Sequence, residues 1–198
     1  MKRAVLLDRD GTLIEEAGYL DSLERLVFYP YTVDAVRLLN QAGFVVVVVT
    51  NQSGVARGIV DERFVREAHD YIAARLADGG ARVDAFYYCP HHPEGVRPEY
   101  RMMCDCRKPA PGLLHRAAKD LDIDLRQSFV VGDKGHDLDA GAAVGARAVL
   151  VRTGYGRITE RSRPAVSKAE GPALSEVEGP AAVVDNLIEA VTWILRHS

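Results

Sequence analysis

Ala4–Thr12 reads AVLLDRDGT, and the way this short apolar run ends sets the expectation for the whole chain. Ala4-Val5-Leu6-Leu7 has the length and composition of a buried strand. Asp8 and Asp10 follow at once, so two carboxylates stand at that strand's C-terminal end. In an open parallel sheet that end is where ligands bind. Alternation along an extended chain points Asp8 and Asp10 the same way and Arg9 the other, which leaves the Arg9 side chain out of the chemistry. Two like charges held together are costly unless a cation sits between them or one stays protonated. Mg²⁺ is the natural candidate, because it prefers hard oxygen ligands and keeps room for a phosphate. Gly11 lets the backbone turn closely around whatever is bound.

Further strands with polar ends follow. Phe44–Val49 contains five consecutive valines, a pattern for a strand buried on both faces of a parallel sheet. Thr50-Asn51-Gln52-Ser53-Gly54 follows without a break. Before it, apolar spacing from Tyr31 predicts a helix ending at Gly43; after it, Asp61 caps a helix to about Leu76 with Phe64, Ala68, Ile72 and Leu76 as its stripe. Val83–Tyr88 reads as a third strand, and Pro111 opens a helix to about Leu121. Phe129–Val131 is a short strand running into Gly132-Asp133. Asp137–Val144 is a helix of small residues, Ala148–Val151 another strand, and Asn186 to about Arg196 the closing helix. Strands alternating with helices predict a doubly wound, Rossmann-like α/β parallel sheet covered on both faces.

Asp8, Thr50 and Asp133 thus fall at the ends of different strands, which share one edge in a parallel sheet. Asp8 and Asp133 can hold a divalent cation. Thr50 offers a hydroxyl, and the backbone N–H groups of Asn51–Gly54 can cradle phosphate oxygens. Lys108, just before the Pro111 helix, can bring an ammonium to the same edge.

The remaining composition narrows the classes. The 198 residues are expected to form one domain, 1–198, and a net charge of −3 gives no reason to expect nucleic acid or an anionic membrane as partner. Met1-Lys2-Arg3 before the apolar run mimics a signal peptide, but Asp8 ends that run too early, so a cytoplasmic protein is expected. Residues 165–182 carry EGPA twice amid Ser, Ala and Glu, which reads as a low-complexity insertion without a catalytic role. The three cysteines, an odd count, argue against a disulfide framework. Cys89-Pro90-His91-His92 and Cys104-Asp105-Cys106 instead supply three thiolates and an imidazole, a closed tetrahedral set for a structural Zn²⁺ in a loop of about residues 89–106. Either His91 or His92 serves on chemistry alone.

Taken together, D8-R9-D10-G11-T12, T50-N51-Q52-S53-G54, R107-K108-P109 and G132-D133-K134 with Asp137 resemble the four motifs of the haloacid dehalogenase-type phosphatases, in the same order and over almost the whole chain. The resemblance implies a two-step phosphoryl transfer. Asp8 would attack phosphorus and Asp10 would act as general acid, then base. Mg²⁺ would sit on Asp8, the Asp10 carbonyl and Asp133, with Asp137 supporting that shell. Thr50 and Lys108 would steady the transferring group. The resembling subgroup uses Cys-x-His followed by Cys-x-Cys, which selects His91 for zinc beside Cys89, Cys104 and Cys106. A zinc knot there would also fix where Arg107 and Lys108 point.

Two zinc-bearing subgroups remain, acting on heptose bisphosphate or on histidinol phosphate. The long interval from His91 to Cys104, with Gly18-Tyr19 and Val55–Gly58, resembles the heptose subgroup. It implies a phosphorylated sugar substrate, with Arg107 and Lys134 facing the sugar and its second phosphate. Asn51, Gln52 and Ser53 would line its site, walled by the Glu16–Tyr19 turn and the zinc loop. No stretch between motifs is long enough for a large cap, and nothing demands more than a monomer. A receiver-type phospho-acceptor would share the sheet and the acidic Mg²⁺ site, but has no use for Asp10 or a zinc loop.

Overall fold

The computed structural model describes residues 1–163 and 179–198. Six parallel strands lie in the order β3-β2-β1-β4-β5-β6, where β1 is Ala4–Leu7, β2 Val45–Asn51, β3 Ala85–Cys89, β4 Phe129–Gly132, β5 Arg147–Val151 and β6 Ala182–Val184. This is the doubly wound order, in which the direction of winding reverses between β1 and β4. The register sets Leu7 beside both Val48 of β2 and Val131 of β4. Asp8, Thr50 and Asp133 therefore lie along one edge of the sheet, at the C-terminal ends of its strands.

Alternation along the strands sorts the core into two layers. Val5, Leu7, Val46, Val48, Phe129 and Val131 pack with α1 (Thr32–Gln41), α2 (Glu62–Asp78) and α6 (Leu187–His197). Ala4, Leu6, Val47, Val49 and Val130 pack on the opposite face with α3 (Gly112–Leu121) and with Ala140 of α4 (Gly135–Ala143). Both faces are covered, which is why β1 and β2 read as unbroken apolar runs rather than alternating ones.

Several boundaries differ from the sequence reading. β2 continues through Thr50 and Asn51, because both keep register with Tyr88 and Cys89 of β3. The buried stripe of α2 is Val65, Ala68, His69, Ile72 and Leu76, with Phe64 only partly buried. Asp61 caps α2 by accepting from Phe64 N at 2.8 Å, and Asn186 caps α6 by accepting from Glu189 N at 3.1 Å. Helix α5, Gly156–Ser162, has a polar sequence without apolar periodicity and was not anticipated. The expected insertion lies mostly outside the described residues, but Ala182 is a residue of β6 paired with Val149. Between β3 and α3 the only regular element is a short 3-10 turn at Pro98–Tyr100, so no cap domain interrupts the sheet there. Among the described residues, no helix is long and apolar enough to cross a membrane.

Candidate active site

At the end of β1 the strand pattern stops. Asp8 N still bonds Val131 O at 2.9 Å, but the Arg9 carbonyl then accepts from Leu13 N at 3.0 Å and Ile14 N at 3.1 Å. The backbone coils over the sheet edge, with Gly11 at a φ of +83°. Alternation no longer holds beyond Leu7, and this corrects the expectation for Arg9. Its side chain is buried and turns into the site, where Nε and Nη2 donate to the two oxygens of Asp10 at 3.1 and 3.0 Å. Nη2 also donates to Gln52 Oε1 at 2.9 Å. Gln52 Nε2 in turn reaches Asp10 Oδ2 at 2.9 Å and Thr50 Oγ1 at 2.8 Å.

Asp8, Lys108, Asp133 and Asp137 form the buried centre. Lys108 Nζ donates to Asp8 Oδ1 at 2.9 Å and to the Val49 carbonyl at 2.5 Å. It also lies 2.6 Å from Asp137 Oδ1, an ion-pair contact that is not aligned as a hydrogen bond. Burial works against a charge on Asp8, but Lys108 and then Lys134 outweigh it and hold the carboxyl below its ordinary range. A loop residue reaches this depth because Asn51 clasps its backbone. Asn51 Nδ2 donates to Lys108 O and Asn51 Oδ1 accepts from Lys108 N, both at 3.0 Å.

Asp133 has the surroundings of a cation ligand. It is fully buried; Oδ2 accepts from Tyr155 N at 2.8 Å, and Oδ1 has no hydrogen-bond partner. Burial, followed by the charge of Asp8, pushes it up to about 8. Oxygens of Asp8, Asp133 and Asp137 lie within 4.8 Å of one another. Hard oxygen donors of this kind fit a divalent cation such as Mg²⁺.

A cleft of about 330 Å³ opens above this centre, lined by Asp8, Asp10, Thr50, Asn51, Gln52, Ser53 and, on its walls, Glu16, Gly18, Tyr19, Arg107 and Lys134. Glu16 Oε1 accepts from Gly18 N at 2.9 Å and shapes the turn, while Glu16 Oε2 pairs with Lys134 Nζ at 2.6 Å. Lys134 N bonds Asp137 Oδ2 at 3.1 Å, which closes the first turn of α4. One element of the expected phosphate cradle is otherwise engaged: Gln52 N donates to the Cys89 carbonyl at 2.8 Å.

The second constellation forms below the cleft. Cys89 Sγ lies 3.5 Å from Cys104 Sγ and 3.1 Å from Cys106 Sγ, and His91 Nδ1 is 3.3 Å from Cys106 Sγ. His92 points elsewhere, with Nδ1 accepting from Glu94 N at 3.1 Å and Nε2 facing Arg57 at 3.3 Å. Three sulfurs and one ring nitrogen at these spacings fit a tetrahedral Zn²⁺. Arg107, next in sequence, donates from Nη1 to the His91 carbonyl at 3.3 Å.

The haloacid dehalogenase-like hydrolase model matches residues 15–145, and an overlapping model of the same type matches residues 105–190. The chain belongs to the haloacid dehalogenase-like hydrolases. Within that family it is similar to the D-glycero-beta-D-manno-heptose-1,7-bisphosphate 7-phosphatase of Photorhabdus laumondii, with 43% identity over 82% of this chain and 87% of the relative. The enzyme of the same name from Escherichia coli K12 is 46% identical over 76% of this chain and 80% of its own. Among solved structures, the D,D-heptose 1,7-bisphosphate phosphatase of B. bronchiseptica, complexed with magnesium and phosphate, superposes with a TM-score of 0.82 at 33% identity, over 99% of both chains.

Five residues of the hydrolase's cleft were not anticipated: Arg9, Leu20, Val60, His136 and Tyr155. Tyr155 lies well past the end of β5 at Val151, beyond the reach of the strand-end reasoning, which stops at Arg152; that residue pairs with Glu160 and Asp185 instead. Thr153, also past β5, donates to the Gly11 carbonyl at 2.6 Å and ties the two loops together.

Proposed function

We propose that this chain is a Mg²⁺-dependent phosphomonoesterase, a single catalytic domain acting as a cytoplasmic monomer. Its proposed reaction removes the 7-phosphate of D-glycero-D-manno-heptose 1,7-bisphosphate through an aspartyl-phosphate on Asp8. The observation that carries the chemistry is Asp8 held anionic beside a buried Asp133 whose Oδ1 is unpartnered. The similarity to the named relatives supports the substrate.

In this reading an Asp8 oxygen attacks phosphorus as the bond to the sugar oxygen breaks. Asp10 gives its proton to that departing oxygen, then takes one from the water that hydrolyses the acyl phosphate. Asp8, the Asp10 carbonyl and Asp133 would hold Mg²⁺, which supplies charge neutralisation between an anionic nucleophile and an anionic substrate. Thr50 and Lys108 steady the equatorial oxygens, and Asp137 keeps Lys108 in place. Asn51 acts through Lys108, whereas Gln52 and Ser53 line the phosphate side. Arg107 and Lys134 are the cations that face the sugar and its second phosphate, between walls formed by Glu16, Gly18 and Tyr19. A structural Zn²⁺ on Cys89, His91, Cys104 and Cys106 would anchor the wall that carries Arg107.

The test is phosphate release from the heptose bisphosphate and from histidinol phosphate, side by side with Mg²⁺. The heptose compound is expected to turn over faster. Asp8→Asn should retain less than about one part in 10³ of the rate. Native turnover in Asp8→Asn overturns the nucleophile, and preference for histidinol phosphate overturns the substrate.

A further inference from the structure

We propose that Arg9 and Gln52 form a brace that reserves Oδ1 of Asp10 as the oxygen that carries the transferred proton. The proposal rests on the reading of Asp10 as general acid and adds two positioning residues to it.

An ionised carboxylate offers about four lone-pair directions, two on each oxygen. Oδ2 of Asp10 accepts Arg9 Nε at 3.1 Å and Gln52 Nε2 at 2.9 Å, so both of its directions are taken. Oδ1 accepts only Arg9 Nη2, at 3.0 Å, and keeps one direction open. A proton therefore has a place on Oδ1 and none on Oδ2. When the P–O bond to the leaving group breaks, that proton passes from Oδ1 to the departing oxygen, and the electron pair of the O–H bond stays on Asp10.

The brace is rigid. Arg9 is 2% exposed, and among the described residues Asp10 is its only ion-pair partner. The same Nη2 that holds Oδ1 also holds Gln52 Oε1 at 2.9 Å. Gln52 Nε2 bridges to Thr50 Oγ1 at 2.8 Å, so the proton donor and the proposed phosphate-holding hydroxyl share one hydrogen-bonded frame. A planar fork is what this geometry uses, and lysine cannot supply it.

A positioning role predicts a dependence on the leaving group that a merely structural role does not. An alkyl phosphate needs its departing alkoxide protonated; p-nitrophenyl phosphate expels a stable phenolate and does not. Because Asp10 also serves the later hydrolysis step, which is common to all substrates, the readout is kcat/KM, which reports only the steps through loss of the leaving group. Arg9→Lys and Arg9→Met should each lower kcat/KM on the heptose bisphosphate by about tenfold to a hundredfold, up to the lower end of what general acid catalysis typically contributes. The same variants should lower kcat/KM on p-nitrophenyl phosphate by less than about threefold. Arg9→Lys keeps the buried charge and serves if Arg9→Met does not fold; thermal melting establishes that each variant is folded. Asp10→Asn is the reference. Equal losses of kcat/KM on both substrates in Asp10→Asn overturn the general-acid reading itself. A leaving-group-dependent loss in Asp10→Asn with an even loss, or none, in the Arg9 variants overturns the brace alone.

Discussion

Lys108 Nζ lies 2.9 Å from Asp8 Oδ1, joining two buried side chains a hundred positions apart at the floor of the cleft. The same ammonium faces Asp137 at 2.6 Å, so one cation holds two buried carboxylates. Burial alone would lower the Lys108 pKa, but Asp137 and Asp8 outweigh it and raise it. Removing one partner of a buried ion pair leaves the other uncompensated, at about 3–5 kcal/mol. Lys108→Met is expected to lose stability of that order in urea unfolding with magnesium chelated, and part of the loss should return when Mg²⁺ is added. Activity should not return with it, because the variant lacks the ammonium proposed to hold the transferring group.

Gly154 passes directly under the same site. A Cβ there would fall 2.2 Å from Asp133 Oδ2 and 2.8 Å from Gly11 Cα, at a φ of +52°. Gly154→Ala must therefore displace Asp133 or the Gly11 turn. Changes that shift how a metal ligand is oriented typically cost about 10–100-fold in metal affinity. The concentration of Mg²⁺ giving half-maximal activity, and that giving half the Mg²⁺-dependent rise in melting temperature, should both increase by such a factor.

Much of this site was legible because parallel sheets bring strand ends together, and short apolar runs closed by Asp or Thr are visible in one dimension. Asp8, Thr50 and Asp133 were found that way. Arg9 was misread because alternation was extended through Asp10, past the end of β1 at Leu7, where the backbone already coils. Tyr155 was missed because it lies in the loop well beyond β5, and only the folded loop returns its backbone N–H to Asp133. Along α2 the stripe of Ala68, Ile72 and Leu76 was read as it stands, with Phe64 packing partly buried against the core, while the buried Val65 and His69 were passed over because a stripe of every fourth residue leaves out its neighbours. The choice between His91 and His92 could not come from the residues, because both are imidazoles beside the same cysteines. Only the folded loop turns His92 toward Arg57 and Glu94.

His69 makes a pH prediction. It is buried on α2 against Phe86, with ring centroids 4.8 Å apart, and its Nε2 has no hydrogen-bond partner. Burial, then the charge of Arg9, pulls it down to about 3. The folded value lies below the unfolded value of about 6.5, so the unfolded chain takes up the proton first. The stability is present above about pH 6.5 and is lost as the pH falls. Between pH 6.5 and 5 the loss from this group should be about 1.5 kcal/mol. His69→Leu, which introduces no unpartnered polar atom, should flatten the unfolding free energy over that interval by a like amount. Parallel curves for the two proteins would refute the assignment.

The cysteine loop should transmit metal loss to substrate binding. Cys106 is followed directly by Arg107 and Lys108, and burial above all pushes its thiol up to about 11. A bound cation would hold the thiolates that burial otherwise disfavours. A strong zinc chelator, with Mg²⁺ then restored, is expected to speed amide exchange across residues 89–108 and to raise KM for the heptose bisphosphate. Zinc content measured by elemental analysis should fall in step. An unchanged KM in protein shown to be zinc-free would separate this loop from the cleft.

Lys134 sits where the substrate's second phosphate is proposed to bind, and its contacts indicate how it is aimed. Nζ pairs with Glu16 at 2.6 Å, lies 3.8 Å from Asp133 Oδ1 and stands 4.8 Å from the centre of the Tyr155 ring. Burial opposes its charge, but Asp8, Asp133 and Glu16 raise its pKa, so it stays protonated across the physiological range. A cation of this kind contributes to binding a dianion more than to breaking a bond at a distance. Lys134→Met is therefore expected to raise KM for the bisphosphate about tenfold or more, an effect of the size of one charge-assisted hydrogen bond, with a smaller change in kcat. For p-nitrophenyl phosphate, which has no second phosphate, KM should move much less. Glu16→Gln keeps the wall while releasing Lys134 from its carboxylate, so it should raise KM for the bisphosphate by less than Lys134→Met does. If Lys134→Met raises KM for both substrates equally, Lys134 serves the phosphate being transferred and not a second one.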